Sequence, residues 1–373
     1  MPTLPTFAMI STDIRRDLVL PMQAFTRLRL AHFYRQAPYN DLTAEELAAC
    51  AGSLRQYTSP QDLLRQLEAL RPDIVQNVEL FALRQLPYVA AITGYALRRR
   101  AKLIAGVHIS RPLKEKYGPI AALALRLFLQ PTLHATHLFF YLNEGGRRNL
   151  LWMGVPEAKL VRLMYGTWGI DPDEFTPERN GQEPNWPPGT ILFVGRIHPE
   201  KGIMDLLEAF ELAQRDHRAA RLKLIGSGPQ RAEAEGWVAA HHLQDRVEFL
   251  GTVKNSALPA YYRAATLFVS PARTTRKWEE YVGMTNIQAM ACGVPVISTD
   301  SGAIPEYVPP SAGLLVAEGQ PALLADAITR LLSDEALRAA LGKAGRQYAA
   351  AHENARYNIR EAEEILLQRL AAA

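Results

Sequence analysis

Glu280-Tyr-Val-Gly-Met-Thr-Asn-Ile-Gln-Ala-Met-Ala-Cys-Gly-Val-Pro-Val-Ile297 is the stretch of this 373-residue chain that says most about its fold. A polar loop ends at Gly283, and a run with helical character follows it. Gly293 and Pro295 stop that run before the β-branched residues of a strand. The stretch therefore predicts a loop, a helix and a buried strand in succession, as in α/β proteins.

The same stretch carries groups that suit a phosphate and the sugars attached to it. The first N–H groups of the predicted helix, at Met284 and Thr285, lie at its start, where an anion is favoured. Gly283 has no side chain to keep a phosphate away from the backbone. Glu280 can accept hydrogen bonds from vicinal hydroxyls, and Gln288, one turn into the helix, can reach a ribose. This combination predicts a nucleotide-sugar site.

Outward from this stretch, short apolar or β-branched runs alternate with amphipathic runs through the second half of the chain. Such alternation predicts βαβ units and a doubly wound parallel sheet, in which ligands bind at the carboxyl ends of the strands. The predicted strands cover residues 191–194, 222–225, 247–250, 266–269, 294–298 and 313–316.

The first half shows a similar but less regular pattern, which predicts a second α/β domain. A helix is predicted after Thr43, which has Glu46 three residues on in a capping-box pattern. Another is predicted over residues 59–70, with proline in its first turn. Strands are predicted over residues 5–11, 73–79 and 101–108.

Residues 177–190 are rich in proline, glycine and polar side chains, which predicts a linker. We therefore expect an N-terminal domain over residues 1–186 and a C-terminal domain over residues 187–373. The last amphipathic stretch, residues 355–370, should pack one face on a domain, and the N-terminal domain is left open as its partner.

A second motif, Ile191-Leu-Phe-Val-Gly-Arg-Ile-His-Pro-Glu-Lys-Gly202, opens the second half. Arg196 and Lys201 lie in the loop after its strand, where two cations can hold a diphosphate. Fixed cations in a water-poor cleft stabilise charge that develops on such a leaving group. The alternative is a pair of solvated surface cations, but the neighbouring Glu280 motif favours a diphosphate.

These motifs together resemble the E-x7-E pattern of retaining glycosyltransferases of family 4. The resemblance covers nearly all of residues 150–373 and only patches before them. Gln288 stands where the family has its second glutamate, and a neutral amide lacks a charge-assisted acceptor. The family pattern E-G-F-G-x-x-x-x-E-A-M-A-C-G-x-P-V-I is matched at Glu280, Gly283, Ala289, Met290, Ala291, Cys292, Gly293, Pro295, Val296 and Ile297.

The resemblance implies the GT-B fold, with two Rossmann-like domains facing across a cleft. It implies transfer of a sugar from a nucleoside diphosphate sugar, with retention at the anomeric carbon. It implies neither a metal nor a cofactor, since the sugar nucleotide is a co-substrate. The positions implied for the donor are Arg196, Lys201, Gly283, Met284 and Thr285 at the diphosphate, and Gln288 at the ribose.

The resemblance also implies contacts to the transferred sugar. His108 ends a predicted strand, and relatives carry a histidine at a comparable point, facing the donor sugar. Glu280 is the carboxylate implied for the same sugar. A structural histidine is the alternative for His108. Trp168 stands where the family has asparagine, so no role is carried over to that side chain.

Composition limits the class of protein. The chain is 48% hydrophobic and 21% charged, as in ordinary globular proteins. No apolar run approaches the ~20 residues that a membrane-spanning helix needs. The N-terminal residues lack a secretory pattern, and the two cysteines, Cys50 and Cys292, agree with a reducing compartment. We therefore predict a cytoplasmic protein.

The net charge of +4 comes from the first half, where residues 1–185 hold 22 Lys and Arg against 17 Asp and Glu. An anionic ligand, an acidic acceptor and an anionic membrane surface would each suit that excess. Residues 96–102 and 119–130 pair cations with apolar faces, as interfacial helices do, although core helices look the same. We expect a nucleotide-sugar donor, an anionic or lipid-linked acceptor and no nucleic acid, and leave peripheral attachment at the inner membrane face open.

Other chemistries are weaker fits. Asp171-Pro-Asp173 spells the D-x-D of metal-dependent glycosyltransferases but falls in the turn before the linker, so we predict no metal site. The Gly226-Ser-Gly228 turn lacks the third glycine of a dinucleotide fingerprint. Two functional alternatives stay open: a sugar-nucleotide-binding protein with impaired catalysis, and another GT-B enzyme such as a sugar-nucleotide epimerase.

Overall fold

The computed structural model describes residues 4–36, 42–179, 183–276 and 278–371. The chain forms two compact units, one of Met1–Gly169 with Ala355–Ala373 and the other of Ile170–Asn354. Each unit has its own parallel sheet with helices between the strands, as in a Rossmann-like domain.

The boundary expected at residues 186 and 187 lies inside the second unit. Two arginine side chains hold the residues before it to that unit. Arg346 donates to the carbonyl oxygens of Phe175 (2.8 Å) and Pro172 (3.1 Å), and Arg263 pairs with Glu183 at 2.8 Å. Residues 180–182 of the expected linker lie outside the described residues.

The sheet of the first unit positions the loop that carries His108, which follows one of its strands. Its strands are β1 Thr6–Ile10, β2 Arg29–Tyr34, β3 Leu54–Gln56, β4 Ile74–Asn77, β5 Lys102–Val107, β6 Thr136–Tyr141 and β7 Leu160–Arg162. In the described ranges they are hydrogen-bonded in the order β3-β2-β1-β4-β5-β6-β7, and all the pairs are parallel. The order reverses between β1 and β4.

The two helices predicted for the first half begin where the sequence indicates. Thr43 and Glu46 form the expected capping box at the second helix, and the Ser59 side chain caps the third. Both predictions are confirmed. The helices are α1 Arg16–Val19, α2 Ala44–Cys50, α3 Pro60–Leu70, α4 Leu86–Arg99, α5 Leu113–Tyr117, α6 Pro119–Ala135 and α7 Glu144–Met153.

The second unit repeats the architecture. Its strands are β8 Thr190–Val194, β9 Arg221–Ile225, β10 Val247–Gly251, β11 Leu267–Ser270, β12 Val296–Thr299 and β13 Gly313–Val316. Its helices are α8 Ile203–Ala213, α9 Arg231–Ala240, α10 Leu258–Ala264, α11 Met284–Ala291, α12 Ile304–Tyr307, α13 Pro321–Ser333 and α14 Glu335–His352. Across the described residues the strand order is β10-β9-β8-β11-β12-β13, again all parallel.

The six strands predicted for this half are confirmed to within two residues. The largest difference is at β12, which begins at Val296 rather than at Val294. The Val294 N–H is used instead to close the end of α11, by donating to the Ala289 carbonyl oxygen at 3.0 Å.

The final helix, α15 Ala355–Ala371, belongs to the first unit. Its buried residues Ile359 and Leu366 join the hydrophobic core that also contains Phe7. The Glu363 carboxylate accepts the backbone N–H groups of Thr26 (2.9 Å) and Arg27 (2.7 Å). The amphipathic pattern of residues 355–370 therefore serves the sheet at the other end of the sequence.

Trp168 has an unusual backbone for its size. Its φ is +60°, in the left-handed region, which asparagine tolerates better than bulky residues do. The indole is fully buried and packs edge-on against Phe25 and Tyr165, while Asn358 donates to the Trp168 carbonyl oxygen at 2.8 Å. Packing of the ring thus holds Trp168 in a conformation that is costly for a bulky residue.

Candidate functional site

The strand order of the second sheet reverses between β8 and β11, which pair with each other. In sheets of this kind the crevice at the carboxyl ends of the two reversing strands binds the ligand. Arg196 and Lys201 lie in the loop after β8, and Glu280 lies in the loop after β11. The topology therefore brings the two sequence motifs to one place.

Lys201 and Glu280 are in direct contact. The ammonium nitrogen of Lys201 donates to Glu280 Oε2 at 2.5 Å, and both side chains are 17% exposed. The same nitrogen lies 4.4 Å from the ring centroid of Trp278, within range of a cation–π interaction. A carboxylate and an indole thus hold the Lys201 cation in a partly desolvated position.

Glycines allow the backbone around Lys201 and Glu280 to pack closely against neighbouring loops. Gly202 has a φ of +67°, and a Cβ added there would lie 1.8 Å from the Pro271 carbonyl oxygen. Gly302 has a φ of +57°, and a Cβ there would lie 2.2 Å from the Glu280 carbonyl oxygen. Side chains cannot be accommodated at either point, so backbone packing sets the positions of Lys201 and Glu280.

Arg196 is the more accessible of the two predicted cations. Its guanidinium donates to Glu200 Oε1 at 2.8 Å, and its side chain is 52% exposed. The other Glu200 oxygen lies against His198 Nδ1. Both predicted cations therefore have carboxylate partners, but Arg196 keeps half of its surface open to an incoming anion.

The start of α11 has the form that the sequence predicts. The helix begins at Met284, and Gly283 precedes it with a φ of +82°. A side chain at Gly283 would be strained by that angle and would crowd Asn286, whose Nδ2 would lie 3.0 Å from the added Cβ. Met284 and Thr285 occupy the first turn, next to the Glu280 loop.

Gln288 has a partner that the sequence did not indicate. Its side chain is buried, and its Oε1 accepts a hydrogen bond from the Tyr262 hydroxyl of α10 at 3.0 Å. Burial raises the pKa of Tyr262 well above its usual value, so this hydroxyl remains a donor. Within the described ranges the Gln288 Nε2 group has no hydrogen-bond partner. The amide can therefore offer a ribose its N–H groups, while its oxygen is already engaged.

His108 belongs to the first unit, one residue beyond β5. Its backbone N–H and its ring Nδ1 both lie 2.9 Å from Glu79 Oε2. Because an ionised carboxylate can only accept hydrogen bonds, Nδ1 carries the proton in this contact. The other ring nitrogen, Nε2, points away from Glu79. A Cβ added at Gly166 would lie 3.2 Å from that Nε2, so the ring rests against this glycine.

Glu79 was not singled out by sequence reasoning, although strand register could have found it. The strands β4 and β5 are parallel neighbours, with Asn77 beside Ala105. Glu79 lies two residues beyond the end of β4, at the carboxyl end of the pair and next to His108. A carboxylate and a histidine that follow adjacent parallel strands at this offset are the usable signal.

Metal ligands do not cluster in the described chain. Among residues 4–36, 42–179, 183–276 and 278–371, no three His, Cys, Asp or Glu side chains are placed to hold an ion. The D-x-D aspartates lie in a turn of the second unit, where an Asp171 carboxylate oxygen accepts the Asp173 N–H at 3.0 Å.

The second unit contains the segment that is similar to known protein families. Residues 175–348 match the family model for glycosyl transferases group 1. The GDP-mannose-dependent alpha-(1-6)-phosphatidylinositol monomannoside mannosyltransferase of Mycobacterium tuberculosis is 32% identical over 203 residues, which are 51% of each chain. The 2-deoxystreptamine glucosyltransferase of Streptomyces kanamyceticus is 35% identical over 161 residues, 43% of this chain and 40% of that protein. The matches thus span about half of the curated relatives' length, or less.

Solved structures extend the likeness to the whole chain. Anabaena HepE in complex with UDP and glucose superposes with a TM-score of 0.76 and 15% identity, covering 98% of this chain and all of that one. A glycosyltransferase from Rickettsia africae gives a TM-score of 0.75 and 16% identity, with full coverage of both chains. At this identity the likeness shows the fold alone. The whole chain therefore has the GT-B fold, and residues 175–348 are similar to the glycosyl transferases of group 1.

Proposed function

We propose that this protein transfers a sugar from a nucleoside diphosphate sugar to an acceptor hydroxyl, with retention at the anomeric carbon and without a metal ion. The observation that carries the proposal is the contact between Lys201 and Glu280 at the strand-order reversal of the second unit. It joins a cation suited to a diphosphate and a carboxylate suited to sugar hydroxyls, within one hydrogen bond of each other.

The donor's diphosphate takes the cationic side of this site. Lys201 has three N–H donors, so it can bind a phosphate oxygen while keeping Glu280 in place. Arg196 adds a half-exposed guanidinium, and the first turn of α11, at Gly283, Met284 and Thr285, adds the positive end of a helix dipole. These groups supply the positive charge that a divalent ion supplies in metal-dependent transferases.

The sugar and the ribose take the remaining groups. Glu280 accepts hydrogen bonds from hydroxyls of the transferred sugar, and the N–H groups of Gln288 donate to the ribose. His108 is assigned to the sugar by the family resemblance, and Glu79 holds its ring in the Nδ1–H tautomer.

The reaction has one bond broken and one formed at the anomeric carbon. The bond to the diphosphate oxygen breaks, and the acceptor oxygen bonds to the same face. The acceptor proton passes to the departing diphosphate oxygen. No protein nucleophile is required, so the protein's contribution is to position the donor and stabilise the charge on the leaving group.

For the acceptor we propose an anionic or lipid-linked molecule, with the protein in the cytoplasm at the inner membrane face. The excess of Lys and Arg in residues 1–185 supports an acidic partner. The Mycobacterium tuberculosis relative is named for a phosphatidylinositol-based acceptor, which is a lipid of this kind. Within the described residues, no helix is both long and apolar enough to cross a bilayer.

A donor panel tests the proposal. The protein is incubated with UDP-, GDP- and ADP-sugars and varied acceptors, with and without EDTA, while release of free nucleotide is followed. We expect release from one donor, unchanged by EDTA, and NMR of the product should show the donor's anomeric configuration. EDTA-sensitive release or inversion would contradict the metal-free retaining mechanism.

One observation favours a second candidate, a sugar-nucleotide-binding protein with impaired catalysis. The Gln288 oxygen already accepts a hydrogen bond from Tyr262, which leaves the ribose end of the site with one lone pair fewer. The same panel distinguishes the candidates. Donor-induced thermal stabilisation without nucleotide release would favour the binding protein, and an altered free sugar nucleotide would favour an epimerase.

A further inference from the structure

The helix α6 of the first unit is apolar on the face that it turns outward. Ile120 is 86% exposed, Leu127 is 65% exposed, and Leu123 and Phe128 are each 51% exposed. The opposite face packs inward through buried residues that include Leu125 and Leu129. A helix that is apolar all round belongs in a core or against an apolar phase, so this outward face is expected to be covered.

Positive charge borders this apolar face. Lys114 Nζ and Arg126 Cζ lie 5.3 Å and 5.4 Å from the ring centroid of Trp152, so two cations flank one indole. Residues 80–143, which include α4, α5 and α6, contain nine Lys and Arg and one acid, Glu115. The helix α6 itself contains no Asp or Glu.

We propose that this surface docks on an anionic lipid bilayer, with α6 lying in the plane of the interface. We define the α6 surface as Ile120, Leu123, Leu127 and Phe128 together with Lys114, Arg126 and Trp152. The apolar side chains enter the boundary of the acyl chains, and the cations meet lipid phosphates. At 17 residues, the helix is about 25 Å long, too short to span the hydrocarbon core but suited to lie along it.

Charge selects lipid over a second copy of this chain. A two-fold contact is self-complementary, so it would bring the cationic border of one α6 surface against the same border of its partner. An anionic bilayer presents the opposite charge across the whole surface, and the indole of Trp152 suits the polar–apolar boundary. The inference deepens the proposed lipid-linked acceptor, but lipid binding itself needs neither donor nor acceptor.

Vesicle sedimentation tests the surface. The full chain is mixed, without sugar nucleotide, with phosphatidylcholine vesicles that contain or lack phosphatidylglycerol. We expect binding to the anionic vesicles, weakening as salt is raised. The double variant Leu123→Gln/Leu127→Gln should bind at least ~10-fold more weakly, because it removes two apolar side chains from the interface. The matched control is Leu323→Gln in α13 of the second unit, where Leu323 is 46% exposed, and it should bind like the wild type.

A second variant tests the electrostatic part. Lys114→Gln/Arg126→Gln should weaken binding to the anionic vesicles by roughly fivefold for each cation removed. It leaves the core face of α6 untouched, so its thermal unfolding midpoint should match that of the wild type.

Three results would overturn the proposal. One is a wild type that stays in the supernatant with both kinds of vesicle. Another is equal binding by the wild type and the leucine double variant. The third is a wild-type dimer in light scattering that the leucine double variant converts to a monomer, since this would assign the surface to a second copy. Nucleotide release in solution, measured separately, shows whether the proposed activity has failed instead.

Discussion

The two units reverse their strand order at comparable points, β8/β11 and β1/β4, but hold the loops there by different means. In the second unit, backbone packs on backbone. A Cβ at Gly202 would lie 1.8 Å from the Pro271 carbonyl oxygen, and a Cβ at Gly226 would lie 1.8 Å from that of Gly195. The loops after three neighbouring strands are thus fitted to one another through glycine.

In the first unit, side chains hold the corresponding loop. Residues 11–17, after β1, contain no glycine. Ser11 Oγ lies 2.7 Å from His32 Nε2, the Tyr57 hydroxyl donates to the Ser11 carbonyl oxygen at 2.9 Å, and Gln85 donates to Thr12 Oγ1 at 2.9 Å.

This difference explains why one site is readable from sequence and the other is not. Close backbone approach requires glycine at set positions, because no other residue fits the space or the backbone angles. Hydrogen bonds between side chains can be made by many residue combinations, so they leave no fixed pattern. The predictions below test the two kinds of construction, beginning with the largest expected effect.

Lys201→Ala should lower kcat/KM by ~100-fold, as removal of one preorganised transition-state donor does. The substitution deletes the cation that contacts Glu280 and faces the proposed diphosphate. Turnover is measured with the donor that the panel identifies. The matched control is Lys343→Ala, at an exposed lysine of α14, which should keep full activity. Equal turnover by the two variants would contradict the proposal that Lys201 binds the diphosphate.

Gly202→Ala should destabilise the protein by about 2 kcal/mol or more, because alanine is strained at a φ of +67° and overlaps the Pro271 carbonyl. Urea unfolding monitored by circular dichroism measures the change. The control is Gly236→Ala in α9, where no heavy atom lies within 4 Å of the added Cβ. It should stabilise the helix by about 0.5–1 kcal/mol. A Gly202→Ala protein as stable as the wild type would contradict backbone packing at this point.

His32 should make the first unit sensitive to acid. Burial lowers the pKa of His32 to about 3. The Ser11 hydroxyl donates to the Asp13 carbonyl oxygen, so it accepts a hydrogen bond from His32 Nε2. As the pH is lowered, His32 of the unfolded chain is protonated near pH 6.5, whereas His32 of the folded chain is protonated only near pH 3. Stability should fall between these limits as the pH is lowered, by at most about 1.4 kcal/mol per pH unit.

The His32→Gln variant provides the comparison. It removes the titrating group, so the free energy of unfolding should fall less steeply between pH 6.5 and 4.5 than in the wild type. Parallel stability curves for the two proteins would show that His32 does not contribute.

Tyr262→Phe should cost about 1 kcal/mol of stability, since the buried Gln288 Oε1 loses its hydrogen bond. The neighbouring Tyr261→Phe is the control. In the part of the chain that the structure describes, the Tyr261 hydroxyl has no hydrogen-bond partner. Thermal unfolding compares the two variants, and donor titration shows whether a released Gln288 oxygen strengthens binding. Equal stability losses would refute the role of the Tyr262–Gln288 bond.

Most of the second unit could be predicted, because its strands are short apolar runs separated by glycine and proline. The helix start at Met284 and the loop positions of Arg196, Lys201 and Glu280 follow from the same pattern. The Tyr262–Gln288 bond could not be predicted, since it joins two helices with no pattern that relates them.

The sequence by itself predicted the fold, the alternation of strand and helix in the second unit, and the kinds of residue at the proposed donor site. These depend on periodicity and on glycines that backbone geometry requires locally. Only the tertiary structure decided that Lys201 contacts Glu280, 79 positions away, that Glu79 orients His108, and that α6 turns apolar side chains to solvent. Each of these depends on which strands become neighbours and which helix face is covered, and the sheet order sets both.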